Sequence, residues 1–205
     1  MNIVITVAQK EHYDFAQLIC DTIETSALQR GTGIAKRTPE YILKKIDMQD
    51  AVIALADGKF AGFCYIESWQ HDKFVAHSGL IVHPDYRHLG LAKKIKSFVF
   101  DYSQKKHPNA KIFGITTGLA VMKINSDLGY RPVPFSELTD DPSFWAGCKT
   151  CTNFDILQRK ENKMCLCTGM LYDPNERKNI KEQYTFNQKV LTRLKSIKQA
   201  LFLKK

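Results

Sequence analysis

The sequence has no long apolar runs. No uninterrupted apolar stretch in the 205 residues approaches the roughly 20 residues that a helix needs to span a bilayer. Lys10, Glu11 and Asp14 come too early in the chain to leave room for the apolar region of a signal peptide. We therefore expect a soluble cytoplasmic protein that has no membrane partner. Six cysteines are then expected to be thiols or metal ligands, because the cytosol keeps thiols reduced.

Two nucleotide-binding signatures are also missing. No phosphate loop with the Gly-Lys-Ser/Thr ending is present, which argues against hydrolysis of nucleoside triphosphates. The stretch "RGTGIAKR", residues 30–37, has two glycines but lacks the third glycine of a dinucleotide-binding loop. It also follows a predicted helix rather than a strand. We expect a flexible loop there.

Positive charge is concentrated at one end of the chain. The net charge is +9, and residues 176–205 contain nine basic and two acidic residues, a net +7. Val190, Leu194, Ile197 and Leu201 recur there at helical spacing. The pattern predicts a basic amphipathic C-terminal helix that packs on the body of the protein or on a second copy, forming a homodimer. Binding to nucleic acid or to a membrane surface is the alternative, although no aromatic platform for single strands accompanies the tail.

The order of apolar patterns predicts a mixed α/β fold. Alternation and helical spacing indicate one strand, two helices, three strands, and then helix, strand, helix and strand. Asp57-Gly58 is typical of a two-residue hairpin, and Thr38-Pro39 is typical of a helix start. We expect a central, mostly antiparallel sheet flanked by helices. Strands are predicted at residues 2–7, 51–56, 59–67, 74–82, 111–115 and from 130, and helices at 12–26, from 39, from 91 to about 105, and 119–128.

The stretch "GLIVHPDYRHLGLAKKI", residues 79–95, joins a strand to a helix. Pro84 ends the strand, and a glycine, Gly90, stands where the helix begins. The first backbone amides of a helix are unpaired and its dipole favours an anion, so a glycine there lets a phosphate group approach the amides. The turn therefore predicts a phosphate-binding site.

Together with the element order, this turn resembles the acetyl-CoA signature of the GNAT superfamily of N-acetyltransferases. The residues that carry the resemblance are Val82, Pro84, Tyr86, Arg87, Gly90 and Ala92. The stretch "MKINSDLGY", residues 122–130, is similar to the late helix of that family and the turn that follows it. The resemblance covers roughly residues 2–135. It implies a GNAT domain over residues 1–175, which includes a Cys-rich segment at 137–168, followed by the basic helix at 176–205.

The resemblance also implies a cofactor site. In this fold one strand leaves its neighbour, the thioester of acetyl-CoA enters the gap, and an amine approaches from the other side. Asn125 stands where many relatives have a tyrosine that acts as general acid, and an amide cannot supply that proton. The implied contacts are Leu80, Ile81 and Val82 with the pantetheine arm, Arg87, His88, Leu89, Gly90, Leu91 and Ala92 with the pyrophosphate, and Asn125 beside the sulfur or an amide.

Two side chains are candidates for orienting or deprotonating the amine, Glu67 and His77. The alternatives are an exposed carboxylate at a strand end and a hydrogen-bonded histidine within the sheet. We expect an N-acetyltransferase that acts on a small molecule, such as the amino acid glutamate, with Arg30, Lys36 or Arg37 binding an acidic acceptor. The alternatives are a protein or peptide amine as acceptor, a non-catalytic acyl-CoA sensor, and a nucleic-acid-binding module.

Four cysteines lie in a segment that is not typical of the family. Cys148 and Cys151 form one close pair, and Cys165 and Cys167 form another, which predicts one structural zinc ion with four thiolate ligands. We expect the second pair to lie in a strand, on one face. Simple burial of the thiols and a disulfide are the alternatives. This Cys-rich ending resembles a bacterial subgroup of GNAT proteins associated with amino-acid biosynthesis.

Overall fold

The computed structural model describes residues 1–30, 36–176 and 192–193. Residues 1–172 form one compact unit and residues 173–205 form a second. Most of the predicted basic helix, residues 176–205, lies outside the described residues. None of the described helices has the length and apolar character needed to cross a membrane.

A seven-stranded sheet with helices on both faces confirms the predicted fold class. The strand order is β1-β2-β3-β4-β5-β7-β6, and within it only the β4–β5 pair is parallel. The strands are β1 Ile3–Val7, β2 Ala51–Ala56, β3 Lys59–Trp69, β4 Phe74–Val82, β5 Lys111–Thr116, β6 Arg131–Val133 and β7 Thr168–Tyr172. The α-helices are α1 Ala16–Arg30, α2 Pro39–Asp47, α3 Leu91–Lys106, α4 Leu119–Asp127, α5 Pro142–Ala146 and α6 Phe154–Arg159.

Local sequence signals determine two of the early connections. Asp57 and Gly58 both have positive φ, 49° and 79°, as a tight two-residue turn between β2 and β3 requires. The Thr38 side chain accepts a hydrogen bond from the Tyr41 amide, and Pro39 occupies the first position of α2. Both predictions from the sequence are confirmed.

The sheet opens in its middle. β4 pairs with β5 only from Phe74 to Ala76, and the two strands separate beyond that point. On its other edge β4 stays paired with β3, and the register of that pairing shifts between Phe63 and Tyr65. Gly79 in this stretch has φ of 65°, and a Cβ atom there would lie 2.5 Å from Cε1 of Tyr65. Only glycine satisfies both the backbone conformation and the close contact, so Gly79 determines the course of β4 opposite Tyr65.

The helices divide between the two faces of the sheet. Side chains of α1 and α2 pack with Phe63 and Tyr65, and we call this side the α1–α2 face. Side chains of α3 pack with Cys64 and Ile66, which point the opposite way, and we call that side the α3 face. Met122 of α4 packs in a cluster with Phe100 of α3. The separation of β4 from β5 therefore opens a gap between the two faces.

The prediction that the second cysteine pair lies in a strand is wrong. Cys165 and Cys167 precede β7, which begins at Thr168. Cys165 and Cys167 pack instead against an apolar cluster that includes Trp145 and Leu157. The alternation rule applies only within a strand, so it does not place these two thiols on one face.

Candidate active site

The turn between β4 and α3 has the geometry that its sequence predicts. His88 and Gly90 adopt the left-handed conformation, with φ of 64° and 70°. Gly90 is the residue before the first turn of α3, and a Cβ atom there would meet nothing within 4 Å. The first amides of α3 thus face open space, where an anion is favoured by the unpaired donors and the helix dipole.

Arg87 is already engaged within the protein. Its amide donates to the Pro84 carbonyl at 3.2 Å. Its guanidinium donates to the Val82 carbonyl at 3.3 Å and to the Ser26 hydroxyl at 2.7 Å. Arg87 therefore ties the turn to the end of β4 and to α1, and the stretch His88–Ala92 is the better candidate for direct contact with a phosphate group.

The backbone of β4 beyond Ala76 offers a free edge. Ile81 and Val82 pair with β3 on one side and have no partner in β5 on the other. An extended ligand with amide groups fits such an edge, because it can complete the hydrogen bonds that a neighbouring strand would make. The predicted roles of Leu80, Ile81 and Val82 remain predictions, and the geometry is compatible with them.

Asn125, near the end of α4, has an unsatisfied polar atom. The residue is 1% exposed, and its Oδ1 atom has no hydrogen-bond partner within the described part of the chain. Its backbone carbonyl accepts from the amides of Leu128 and Tyr130, which fixes the end of α4. Because an unpaired buried carbonyl oxygen is costly, a ligand that donates a hydrogen bond fits this position.

His77 belongs to a buried polar cluster on the α3 face. Its Nε2 atom lies 2.8 Å from the Ser103 hydroxyl, and its Nδ1 atom lies 2.9 Å from Lys96 Nζ and 3.2 Å from the Tyr130 hydroxyl. Burial, and next the Lys96 charge, hold the pKa of His77 well below its usual value. Both ring nitrogens are occupied and the side chain points away from the α1–α2 face, so the structure does not favour His77 as a base for the acceptor.

Lys96 and Tyr130 are members of this cluster that the sequence analysis missed. Burial lowers the pKa of Lys96 to about 8 and raises that of Tyr130 well above its usual value. Lys96 stands in the stretch "AKKIKS", where it resembles the exposed lysines around it. Val99 and Phe100, both buried, follow Lys96 by three and four residues, and this helical spacing is the signal that could have placed Lys96 on the inward side.

Glu67 lies on the α1–α2 face and is held by two neighbours. Lys45 Nζ lies 3.2 Å from its Oε1 atom, and the Tyr41 hydroxyl donates to the same oxygen. The Glu67 side chain is mostly buried rather than exposed at a strand end. Because the Oε1 atom of Glu67 is already engaged by a cation and a hydroxyl, the geometry does not favour its predicted role as a base.

Arg37 borders the same cluster. Its Nε atom donates to the Tyr65 hydroxyl at 2.5 Å, and its guanidinium lies 5.4 Å from the centre of the Tyr41 ring. Lys36 is paired with Glu24 at 2.9 Å, and the Arg30 side chain lies outside the described residues. Of the basic residues predicted to meet an acidic acceptor, Arg37 is the one that the structure places beside the tyrosines.

The Cys-rich segment touches the loop that carries these basic residues. The Lys36 amide donates to the Thr150 hydroxyl at 2.9 Å. Phe144 packs edge-on against Trp69 at the end of β3, with ring centroids 5.6 Å apart. The segment that departs from the family pattern therefore contacts the loop before α2 and the end of β3.

The predicted zinc site is not supported. Cys148, Cys151, Cys165 and Cys167 are free thiols, all partly buried. In the part of the chain that the structure describes, no group of three or more His, Cys, Asp or Glu side chains is placed to hold a metal ion. Burial, and next the neighbouring thiols, raise the pKa of Cys148 to about 11 and that of Cys167 to about 12. Burial of neutral thiols, the alternative to zinc, describes this segment better.

Comparison with known proteins gives one family and a set of similar folds. Residues 20–119 match the model of the Acetyltransferase (GNAT) family. No curated protein sequence matches the chain. N-acetylglutamate synthase from Neisseria gonorrhoeae, solved with coenzyme A and N-acetyl-glutamate, is 14% identical with a TM-score of 0.61. The alignment covers 84% of this chain but only 35% of that synthase.

Two further structures have the same fold and cover most of both chains. The yncA acetyltransferase from Salmonella typhimurium, solved with acetyl-CoA, is 16% identical with a TM-score of 0.57, and the alignment covers 84% of this chain and 94% of that one. A chain of the NatC complex bound to Gag peptide and CoA is 13% identical with a TM-score of 0.59. That alignment covers 84% of this chain and 99% of the other. At these identities the likeness concerns the fold alone.

Proposed function

We propose that the protein is an acetyltransferase of the GNAT type, whose family model matches residues 20–119, and that it transfers the acetyl group of acetyl-CoA to an amine. The observation that carries the proposal is the course of β4, which leaves β5 after Ala76 and leads into the glycine turn before α3. A free strand edge followed by unpaired helix amides fits a ligand that has both amide groups and a diphosphate.

The residues present fit acetyl-CoA in three places. The free edge of β4 would hold the pantetheine arm, the amides of His88–Ala92 would hold the pyrophosphate, and Asn125 Oδ1 would accept a hydrogen bond from an amide of the arm. Acetyl-CoA supplies an acetyl group activated as a thioester. The protein's part is to hold that group in the gap and to admit the amine from the α1–α2 face.

The environment of Glu67 limits the kind of amine. A lysine-type amine costs roughly 4 to 5 kcal/mol to deprotonate at pH 7, whereas an α-amino group costs only about 1 to 1.5 kcal/mol. Glu67 is paired with Lys45 and Tyr41, so it is not a free base that could offset the larger cost. The site therefore fits an α-amine, which water can deprotonate.

Arg37 favours a free amino acid as the source of that α-amine. Its guanidinium sits beside Tyr41 and Tyr65 and has no carboxylate partner within ion-pair distance among the described residues. A guanidinium fork matches a carboxylate in charge and geometry. We propose a small amino acid, such as glutamate, as the acceptor. The α-amine argument applies equally to a peptide N-terminus, which is the second candidate.

A screen of acceptors tests this function. Consumption of acetyl-CoA is measured with free amino acids, short peptides and polyamines, and we expect saturation with an amino acid. Replacing Arg37 by Met should raise KM for an acidic amino acid about tenfold or more, because a charge-assisted contact is lost. Arg159→Met, on the exposed helix α6, is the matched control and should leave KM unchanged. Saturation with peptides and none with any free amino acid would reject the acceptor, and no consumption with any amine would reject the activity.

A further inference from the structure

Lys96 is a buried cation without a counter-ion. The residue is 2% exposed, on the side of α3 that faces the sheet. Its one hydrogen-bond partner among the described residues is Nδ1 of His77, and no carboxylate of that part of the chain lies within ion-pair distance. Cys64 is close enough to influence it, but burial raises the pKa of that thiol to about 11, so it is neutral. A buried charge in this state is unfavourable unless something else compensates it.

The cluster also has more hydrogen-bond donors than acceptors. The ammonium group has three N–H donors, and the two hydroxyls and the neutral imidazole have one each, six in all, whereas the acceptors are one imidazole nitrogen and two hydroxyl oxygens. The hydroxyl of Tyr130 and the ammonium of Lys96 both approach Nδ1 of His77, while Nε2 bonds to the Ser103 hydroxyl. Nδ1 cannot accept from both at once, so the cluster has unused donors. Such a cluster fits an additional acceptor, above all an anion.

The cluster touches both walls of the gap. His77 directly follows Ala76, the last residue of β4 that pairs with β5. On the other wall, the Tyr130 amide donates to the Asn125 carbonyl at 3.0 Å, and Asn125 carries the unsatisfied Oδ1 atom at the end of α4. The unused donors therefore lie beside the point where the strands separate, on the α3 face.

We propose that Lys96 is the cation that stabilises the thiolate of CoA as it leaves, with His77 and Tyr130 holding the ammonium in place. The inference rests on the proposed function. When the amine nitrogen bonds to the acetyl carbon, the carbon–sulfur bond breaks and its electron pair stays on sulfur. The amine loses one proton to water, and the thiolate takes one from water before it leaves as a thiol. Lys96 keeps its proton throughout, which suits a site where Asn125 cannot act as an acid.

The ionisation of bound CoA tests this role without knowledge of the acceptor. The ultraviolet absorbance of the thiolate is followed against pH in complexes of CoA with the wild type, with Lys96→Met and with Lys105→Met. Lys105, at the exposed end of α3, is the matched control. We expect the thiol of CoA bound to the wild type and to Lys105→Met to ionise at least about one pH unit lower, a tenfold change in the constant, than CoA bound to Lys96→Met. Equal ionisation in all three complexes would overturn the role of Lys96 and leave the proposed function intact.

A second measurement needs only the wild type. The affinity for CoA is compared with that for desulfo-CoA, which lacks the sulfur, from pH 6 to pH 9. A cation near the sulfur should make the preference for CoA grow at least threefold over this range, as the thiol ionises. A constant ratio would overturn the inference even if Lys96→Met does not fold. Failure to bind either molecule would overturn the proposed function together with the inference.

Discussion

At the scale of single residues, the buried polar groups of this protein differ in how many hydrogen-bond and ion-pair partners they have. Glu67 has Lys45 and Tyr41 as partners, and Arg87 has a carbonyl and a hydroxyl. Lys96 and Asn125 are buried with fewer partners than they can use. Native proteins leave few buried polar groups unsatisfied. Lys96 and Asn125 are linked through Tyr130, whose hydroxyl approaches the same ring nitrogen as Lys96 and whose amide donates to the Asn125 carbonyl, so one ligand could provide contacts to both.

Lys96→Met should make the free protein more stable. Burial lowers the pKa of Lys96 from 10.5 to about 8, so between these values the unfolded chain binds more protons than the folded one, and stability rises with pH. Below pH 8 both states are protonated and the full penalty, about 3 kcal/mol, remains. At pH 7 the variant should therefore gain up to about 3 kcal/mol in unfolding free energy, and this gain should fade between pH 8 and pH 10.5.

Urea unfolding of both proteins at several pH values measures this difference. Between pH 7 and pH 10 the neighbours of the ammonium, which are His77, Tyr130 and Cys64, are neutral in both folded proteins, so the difference over this range reports Lys96 itself. Lys105→Met should change the unfolding free energy by less than about 0.5 kcal/mol, as an exposed substitution does. A loss of stability in Lys96→Met at pH 7 would show that the lysine holds the fold together.

Single residues were also the least predictable part of the site. Gly90 and Asn125 could be proposed because each stands at a fixed place in a local pattern, a helix start and a turn at a helix end. Lys96 was missed because its partners, His77 and Tyr130, come from elements that meet it only in the folded sheet. The sequence did not indicate which face His77 occupies, and no local signal reports that its neighbour Ala76 is the point where β4 leaves β5.

At the scale of elements, the proposed binding of acetyl-CoA depends on one unit, which consists of β4, the turn after it and α3. The strand leaves its neighbour, the turn places two residues in the left-handed conformation, and the helix begins directly after Gly90. The turn and the helix start have local causes in the sequence, which explains why these two parts of the unit were predicted closely. β7 was not predicted at its observed position, because the cysteines before it extend the apolar pattern beyond the true start at Thr168.

Gly90→Glu should nearly abolish binding of acetyl-CoA. The glutamate would add a side chain in the open space before α3 and a negative charge where the pyrophosphate is expected. Gly58→Glu is a matched control, because Gly58 also has positive φ, 79°, and also has open space around it, but lies in the β2–β3 turn. In calorimetric titrations we expect Gly58→Glu to bind as the wild type does. Unchanged affinity in a folded Gly90→Glu would remove the turn from the site.

At the scale of the whole molecule, most of the net positive charge and the residues proposed for binding lie in different parts of the sequence. The residues proposed to bind acetyl-CoA and the acceptor all lie within residues 1–172, which form one compact unit. Residues 176–205 carry a net +7 of the total +9. Charge and proposed chemistry thus lie in different parts of the sequence, and at physiological ionic strength a charge acts only within about 8 Å. Its role as an amphipathic helix, and assembly into a homodimer, remain predictions.

Deleting residues 176–205 tests whether the tail belongs to the site. Seven strands that pair within residues 1–172 should keep their structure, since the deletion begins after the end of β7 at Tyr172. We expect the shortened protein to bind acetyl-CoA with the same Kd as the full chain at physiological salt, measured by calorimetry, and to show the same acceptor preference. A control that keeps the tail but replaces Lys195 and Lys198 by Gln separates charge from length. If the deletion weakens acetyl-CoA binding tenfold while the charge variant does not, the tail contributes contacts to the site. If both variants weaken binding, the tail acts through its charge. In either case the assignment of binding to residues 1–172 alone is wrong.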